Sequence, residues 1–284
     1  METEQEPLDT LHKYEKEALK FFIQVCEKNN LEYYVIGGTL LGAVRHHGFI
    51  PWDDDIDVAM PRESYERFLN IGSKELPEHL LLESPQNNKD YRSYFGKIRN
   101  ANVDIYDNLE DNTQPRRLGY MIDIIPLDGT PNSPVRRKIY GYKILFYRFL
   151  CGAANVSTGI LATRPKKEKF LLELCKTLRL YKLLKVHKIY KRMDRLFLNQ
   201  DFRNAEYSGT AMGAYHLHEI VPTVFWGNYG EASILDFEGL KVKGPKMYDE
   251  YLTHMYGDYM KLPAESERRI HFQGTLVERK RESN

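Results

Sequence analysis

Apolar residues at Leu8, Leu11, Ala18, Phe22, Val25 and Cys26 recur at near-helical spacing, so residues 8–29 are expected to form an amphipathic helix. LEYYVIGG (31–38) is a short β-branched and aromatic run ending in paired glycines, the pattern of a strand entering a turn. Thr39 is placed to cap a short helix through TLLGAVRHHG, which Gly48 closes. After Pro51, the segment DDDIDVAM alternates as a strand does, and Pro61 opens a helix in PRESYERFLNI. FGKIRNANVDIYD (95–107) and GYMIDIIPLDG (119–129) are two further strand regions. EKFLLELCKTLRLYKLLKVHKIYKRMDRLF is expected to be helical, FEGLKVKGP to hold a short strand, and MYDEYLTHMYGDYM a helix followed by a turn.

Charge divides this pattern into parts. The chain has 284 residues, 42% of them hydrophobic, and a net charge of only +1. Residues 133–200 nevertheless carry 17 Lys/Arg against three acids, a net of +14, while the rest carries 24 against 37, a net of −13. The expected organisation is a core at 1–132, a basic helical insert at 133–200 and a part at 201–284 that completes the core domain. Cys26, Cys151 and Cys175 are odd in number and far apart, which indicates neither a disulfide framework nor a zinc cluster. The start, METEQEPLDT, is acidic and has no signal-peptide apolar region, and the apolar stretch 139–161 is broken by Lys143 and Arg148. A cytoplasmic protein is expected, with membrane contact left open.

PWDDDIDVAM (51–60) places four aspartates within five positions. Strand side chains alternate faces, so Asp55 and Asp57 are expected side by side, with Ile56 and Val58 turned toward a core. Paired carboxylates repel unless a cation lies between them, and hard oxygen ligands suit Mg2+ or Mn2+. Asp53 and Asp54 take turn or supporting roles. Asp53, Asp55 and Asp57 have the one-three-five spacing of an EF-hand, but Val58 and Ser64 stand where that loop needs glycine and glutamate. A solvated acidic turn is the plain alternative; Trp52 and the apolar run indicate partial burial, where unpaired charge is expensive. MIDIIPLDG adds Asp123, a lone acid among Met121, Ile122, Ile124 and Ile125, either a third ligand or the partner of a buried arginine. Asp128, before Gly129, is expected in a turn. Upstream, Gly37 and Gly38 allow a ligand to approach the backbone, and the helix that follows offers free amides to a phosphate.

Paired glycines, an alternating acidic pair and a third aspartate on a later strand resemble the nucleotidyltransferase superfamily. More narrowly, GGTLLGAVRHHGFIPWDDDIDVAMPRESYERF resembles the core signature of the LicD phosphotransferase family, related to the fukutins. FGKIRNAN (95–102), IDIIPLDG (122–129), FEGLKV (237–242) and YDEYLTHMYGDYMKLP (248–263) match in order, which leaves the basic insert as the variable part. The resemblance implies an α+β fold, a nucleotidyltransferase-like mixed β-sheet flanked by helices. It also implies transfer of a phospho-alcohol, typically phosphocholine from CDP-choline, to a hydroxyl of a cell-surface glycan, teichoic acid or lipopolysaccharide precursor. Carried over by position, Asp55, Asp57 and Asp123 would bind the metal ions. Fukutin-type relatives can carry a zinc-binding cysteine cluster; this chain lacks one, so no zinc is expected.

Around that frame, Arg45 and Lys97 are the expected phosphate cations, with Arg99 on the same strand face as Lys97. Gly37, Gly38 and Thr39 would form the backbone side of the substrate site, and Asp123 would hold the acceptor-side metal or act as general base. A choline head would want an aromatic cage, for which Trp52, Trp226 and some of the 20 tyrosines are available. Tyr256, Asp258 and Tyr259 match the family motif, either lining the pocket or closing the fold. The basic insert interleaves Leu, Ile and Tyr with Lys and Arg, as interfacial helices do, and is expected to touch anionic lipid peripherally at the inner membrane face rather than nucleic acid. A solvated basic face over core packing is its plain alternative. Two other functions are open at this point: transfer of the NMP half of a nucleotide, and a non-catalytic basic binding module.

Overall fold

The structure, a computed structural model, describes residues 2–88, 91, 93–107, 116–117, 119–156, 166–200, 202–210, 232–268 and 274–278. Trp226 lies outside the described residues. The chain forms two compact units: Met1–Asn88, Phe95–Pro126 and Asn228–Asn284 make one, and Lys89–Tyr94 with Leu127–Gly227 the other.

The first unit starts with helix α1 (Glu2–Lys28), which buries Leu8, Leu11, Ala18, Leu19 and Phe22 along one stripe. Strand β1 is only Tyr34–Val35. The apolar run is longer than the strand because Ile36, still extended, is already the residue before helix α2 (Gly37–Arg45), and Gly37 turns the chain at a φ of +56°. Strand β2 (Asp57–Pro61) runs antiparallel to β1, with Tyr34 opposite Ala59 and Val35 opposite Val58. Pro61 then precedes helix α3 (Arg62–Glu75), as its fixed backbone predicts. Strands β3 (Leu80–Glu83), β4 (Gly96–Asn100), β5 (Val103–Asp107), β6 (Arg116–Arg117) and β7 (Tyr120–Thr130) follow. The segment 95–107, expected as one strand region, is therefore two strands in separate sheets.

The main sheet has the order β1-β2-β7-β4-β3. Its middle strands present Val58, Ile98, Ile122 and Ile124 to a core shared with helices α1, α2 and α3, which pack on β4, β2 and β2–β3 respectively. Beyond Thr130 the chain enters the helices of the second unit: α4 (Pro134–Ala154), α5 (Lys166–Thr177) and α6 (Val186–Leu198), then strand β8 (Tyr207–Gly209). Ala153, Val156 and Leu172 form a small core there, with Phe149, Cys175, Tyr181 and Leu184 packed against it. Asp128 is not in a turn: it sits inside β7, buried, opposite Gly209 of β8.

Strands β9 (Ser233–Phe237) and β10 (Leu240–Gly244) form a hairpin in the first unit, followed by helix α7 (Tyr248–Tyr256). Strand β11 (Gly274–Glu278) pairs with β5, which also pairs with β6. The result is a mixed α+β fold with a sheet flanked by helices, as the family resemblance implies.

Candidate functional site

Strand β2 begins at Asp57, not at Asp53, so Asp55 lies in the turn before it. The strand starts where the sheet pairing does: the Ile56 carbonyl accepts the Asp123 amide at 2.8 Å, at the edge of the ladder. That bond ties β2 to β7 at the two acids. Asp57 is half-buried and Asp55 exposed. Burial first, then the charges of Asp55 and Asp123, hold the Asp57 carboxyl well above the usual carboxylate range. The sheet therefore brings Asp57 toward Asp123, while Asp55 reaches the same locality from the turn.

Strand β4 adds the counter-charge. Lys97 and Asp123 are direct cross-strand partners, and the ammonium donates to both carboxylate oxygens, at 2.5 and 2.7 Å. Each side chain is 19% exposed, so this pair is largely shielded from water. The same ammonium lies 5.1 Å from the Tyr120 ring and 5.2 Å from the Phe95 ring. An ammonium has three N–H donors, and Asp123 takes two of them. Arg99, two residues on, is held by Glu83, whose other oxygen accepts from Tyr120.

Gly37 and Gly38 open α2 for a reason the sequence pattern did not give. A Cβ on Gly38 would fall 2.3 Å from an Asp53 oxygen, and one on Gly37 would fall 3.1 Å from an Asp57 oxygen. Two carboxylates thus approach the N-terminus of α2, where the helix dipole favours negative charge. Thr39 does not cap α2; its hydroxyl accepts the Asp57 amide at 2.8 Å and fixes the start of β2. The Gly37 amide donates to the Tyr251 hydroxyl of α7 at 3.1 Å.

At the other end of α2, Arg45 donates through Nη1 to the Tyr259 carbonyl (2.8 Å) and through Nε to His46 Nε2 (3.0 Å). Burial, then the nearby Arg268 charge, lowers its pKa. Arg268 in turn stands 5.3 Å over the Trp52 ring, which His46 meets edge-on. Arg45, Arg268, His46 and Trp52 form a cationic and aromatic corner, of which the sequence pattern named Arg45 and Trp52 but gave no role to Arg268. Tyr259 joins it only through its backbone, while its hydroxyl bonds Asp249.

Comparison with known proteins gives this geometry a context. The family described as LicD/FKTN/FKRP, nucleotidyltransferase domain, matches residues 30–122. The lipopolysaccharide cholinephosphotransferase LicD of Haemophilus influenzae is 30% identical over 265 residues, covering 89% of this chain and 91% of that protein. The chain belongs to the LicD family. Human and mouse ribitol 5-phosphate transferase FKRP are each 40% identical over 45 residues, which is 16% of this chain and 9% of theirs. In this LicD-family chain the matched window holds Gly37, Gly38, Asp55, Asp57, Lys97 and Arg99. Asp123 stands one residue beyond it, and α1 wholly outside.

Helix α1 contributes what the sequence pattern missed. His12 Nε2 lies 2.7 Å from the Asp53 carbonyl, with its ring stacked 3.9 Å from Phe49. Glu15 is fully buried, and neither carboxyl oxygen has a hydrogen-bond partner among the described residues. Its position falls on the stripe Leu8, Leu11, Ala18, Phe22. An acid at a core position of an otherwise regular apolar helix was the signal that could have found it.

Proposed function

We propose that this LicD-family chain transfers phosphocholine, or a similar phospho-alcohol, from a CDP-alcohol to a hydroxyl of a cell-surface glycan or its lipid-linked precursor, on a nucleotidyltransferase-like fold. The observation that carries the reading is the junction of β2, β7 and β4, which sets Asp57, Asp123 and Lys97 together beside the N-terminus of α2. The 30% identity to a lipopolysaccharide cholinephosphotransferase over most of both chains favours phosphocholine among the phospho-alcohols.

The residues present fit a divalent cation. Their donors are hard carboxylate oxygens, and Asp57 is burdened by Asp55 and Asp123 in a way that a cation relieves. Asp55, Asp57 and Asp123 would hold Mg2+ or Mn2+, which when bound supplies neutralisation of the diphosphate charge. The remaining steps belong to the protein. The acceptor hydroxyl oxygen attacks the phosphorus that carries the alcohol, the bond from that phosphorus to the bridging oxygen breaks, and CMP leaves. Asp123, on the acceptor side, draws off the hydroxyl proton. Lys97 keeps Asp123 oriented and offers its third N–H to a phosphate oxygen, and the Arg45–Arg268 corner binds the far phosphate. Arg99 supports the strand through Glu83.

The second unit supports a further part of the same reading, peripheral contact of a cytoplasmic protein with an anionic membrane surface. Val135, Ile139, Tyr142 and Phe146 are exposed at helical spacing along α4, beside exposed Arg136, Lys138 and Lys143. Among the described residues no helix is long and apolar enough to cross a membrane. A basic helix with an apolar stripe lies in an interface.

A panel of CDP-alcohols with Mg2+ or Mn2+ and a glycan acceptor, scored for CMP, tests the transfer. CMP release that depends on both acceptor and cation is expected. Pyrophosphate release from a nucleoside triphosphate, with no CMP from any CDP-alcohol, would overturn the reading in favour of NMP transfer.

A further inference from the structure

We propose that the second unit carries a binding site for a small phosphorylated polyol, in the cleft between the start of α4 and the end of α6. The site stands apart from the transfer chemistry above, since every residue that lines it belongs to that unit.

The cleft holds about 470 Å3, within the roughly 300–1,000 Å3 of small-molecule sites. Charge gives the sign of its occupant. Arg136 and Lys143 both line it, seven residues apart and so on one face of α4. Neither has a carboxylate partner among the described residues, and no acid among those residues lines the cleft. Helix α4 itself begins here. Ser133, the residue before its first turn, lines the cleft with Arg136, and no side chain caps the helix. The free amides of that turn add to the attraction for an anion.

Behind this wall stands Arg137, buried, with its guanidinium 3.8 Å over the Tyr207 ring. Its Nη2 donates at 3.4 Å to the carbonyl of Asn132, which also lines the cleft. Its Nε and Nη1 have no hydrogen-bond partner among the described residues. Three neighbouring cations thus lack an acid among the described residues, and a phosphate group would balance them.

The remaining lining describes the rest of the ligand. The Glu206 amide donates to Asn132 Oδ1 at 2.8 Å, which leaves Asn132 Nδ2 as a donor. Gln200, just past the end of α6, brings a second amide, and the Ser133 hydroxyl is unused by its helix. These groups suit the hydroxyls of a polyol, while Ile139 and Leu196 cover its carbon face. A bare inorganic anion would leave them idle. Ile139 also belongs to the exposed stripe of α4, so the phosphorylated polyol can arrive free or as the head of a lipid.

Glycerol phosphate and inorganic phosphate, titrated calorimetrically into the full chain in chelator, are the soluble probes. Vesicles of phosphatidylglycerol and of phosphatidylserine are the membrane probes. Glycerol phosphate should bind more tightly than phosphate. Arg136→Gln with Lys143→Gln should weaken it by about tenfold or more, at an unchanged Tm because both residues are exposed. Gln200→Ala should keep phosphate binding and lose the preference for glycerol phosphate. Lys182→Gln with Lys185→Gln removes the same charge elsewhere in the unit and should change little. If the cleft double variant also loses a preference for phosphatidylglycerol over phosphatidylserine vesicles, the source is a lipid head; if only glycerol phosphate binding falls, the ligand is free. An isotherm in the folded cleft variant that matches wild type overturns the proposal. So does an equal loss in the Lys182 and Lys185 control, or a wild-type chain that binds neither soluble probe. Failure of CMP release with the cleft isotherm intact would sink the transfer reading alone, so the two are distinguishable.

Discussion

Asp57 is the residue on which the candidate site turns. It is half-buried, bonded through its amide to Thr39, and surrounded by Asp55 and Asp123. Asp57→Asn should reduce kcat/KM for phospho-alcohol transfer by about 10³-fold, the several kcal/mol expected when a cation site at a transferring phosphoryl group is lost. It should also raise Tm in chelator, because it removes a carboxyl that the fold holds against burial and like charge. Steady-state CMP release and thermal unfolding check the two halves, and a lower Tm in chelator would contradict the electrostatic account. His46 gives a pH dependence. Burial first, then Arg45 and His47, lowers its pKa, and its Nε2 accepts a hydrogen bond from Arg45, which only the neutral ring can do. The unfolded imidazole, at about 6.5, binds a proton that the folded one refuses, so stability falls as pH drops below about 6.5. Wild type should lose stability relative to His46→Gln across that range in urea unfolding; a gap independent of pH would refute the assignment.

At the scale of elements, two junctions hold the site. Helix α2 lies against the turn that follows it, where a Cβ on Gly42 would fall 2.4 Å from the Gly48 carbonyl oxygen. Helix propensity alone favours alanine at this position by roughly 1 kcal/mol. The contact is with backbone, which cannot rotate away, so Gly42→Ala should instead destabilise by about 1–3 kcal/mol in urea unfolding. The β4–β7 ladder is the second junction. Lys97→Met leaves Asp123 shielded and without its cation, and Asp123→Asn leaves Lys97 in the same state. A double-mutant cycle in chelator should give a coupling of about 0.5–3 kcal/mol, the range for residues in direct contact. A coupling near zero would mean that water screens the pair.

For the whole molecule, the uneven distribution of charge matters more than the near-zero total. The helices α4, α5 and α6 gather most of the basic excess, and Phe146, Phe170 and Leu183 are exposed with them. Anionic vesicles should bind the chain and neutral ones should not. Binding should fall sharply toward 1 M salt, where the screening length is about 3 Å, and Ile139→Glu with Phe146→Glu should weaken it at any salt. Equal flotation with neutral vesicles would remove the electrostatic part of that reading.

What the sequence determined by itself is what short range fixes. Periodicity located α1, α3 and α7, and the proline at position 61 marked the start of α3. The spacing of the glycine and aspartate motifs carried the family, because chemistry at a site constrains residue type at fixed intervals. Long-range pairing lay beyond it. Period-two alternation joined Asp55 to Asp57, but ladder bonds start β2 only at Asp57, and they depend on which strand lies alongside. The register that sets Lys97 opposite Asp123 spans 26 residues, and no local pattern encodes it. Thr39, expected to cap its own helix, went to the Asp57 amide because the packing of α2 on β2 offered a buried donor. Glu15 was hidden for the same reason. A helix pattern records that one face is buried, and only the tertiary structure decides that this face meets an acidic turn rather than more leucine.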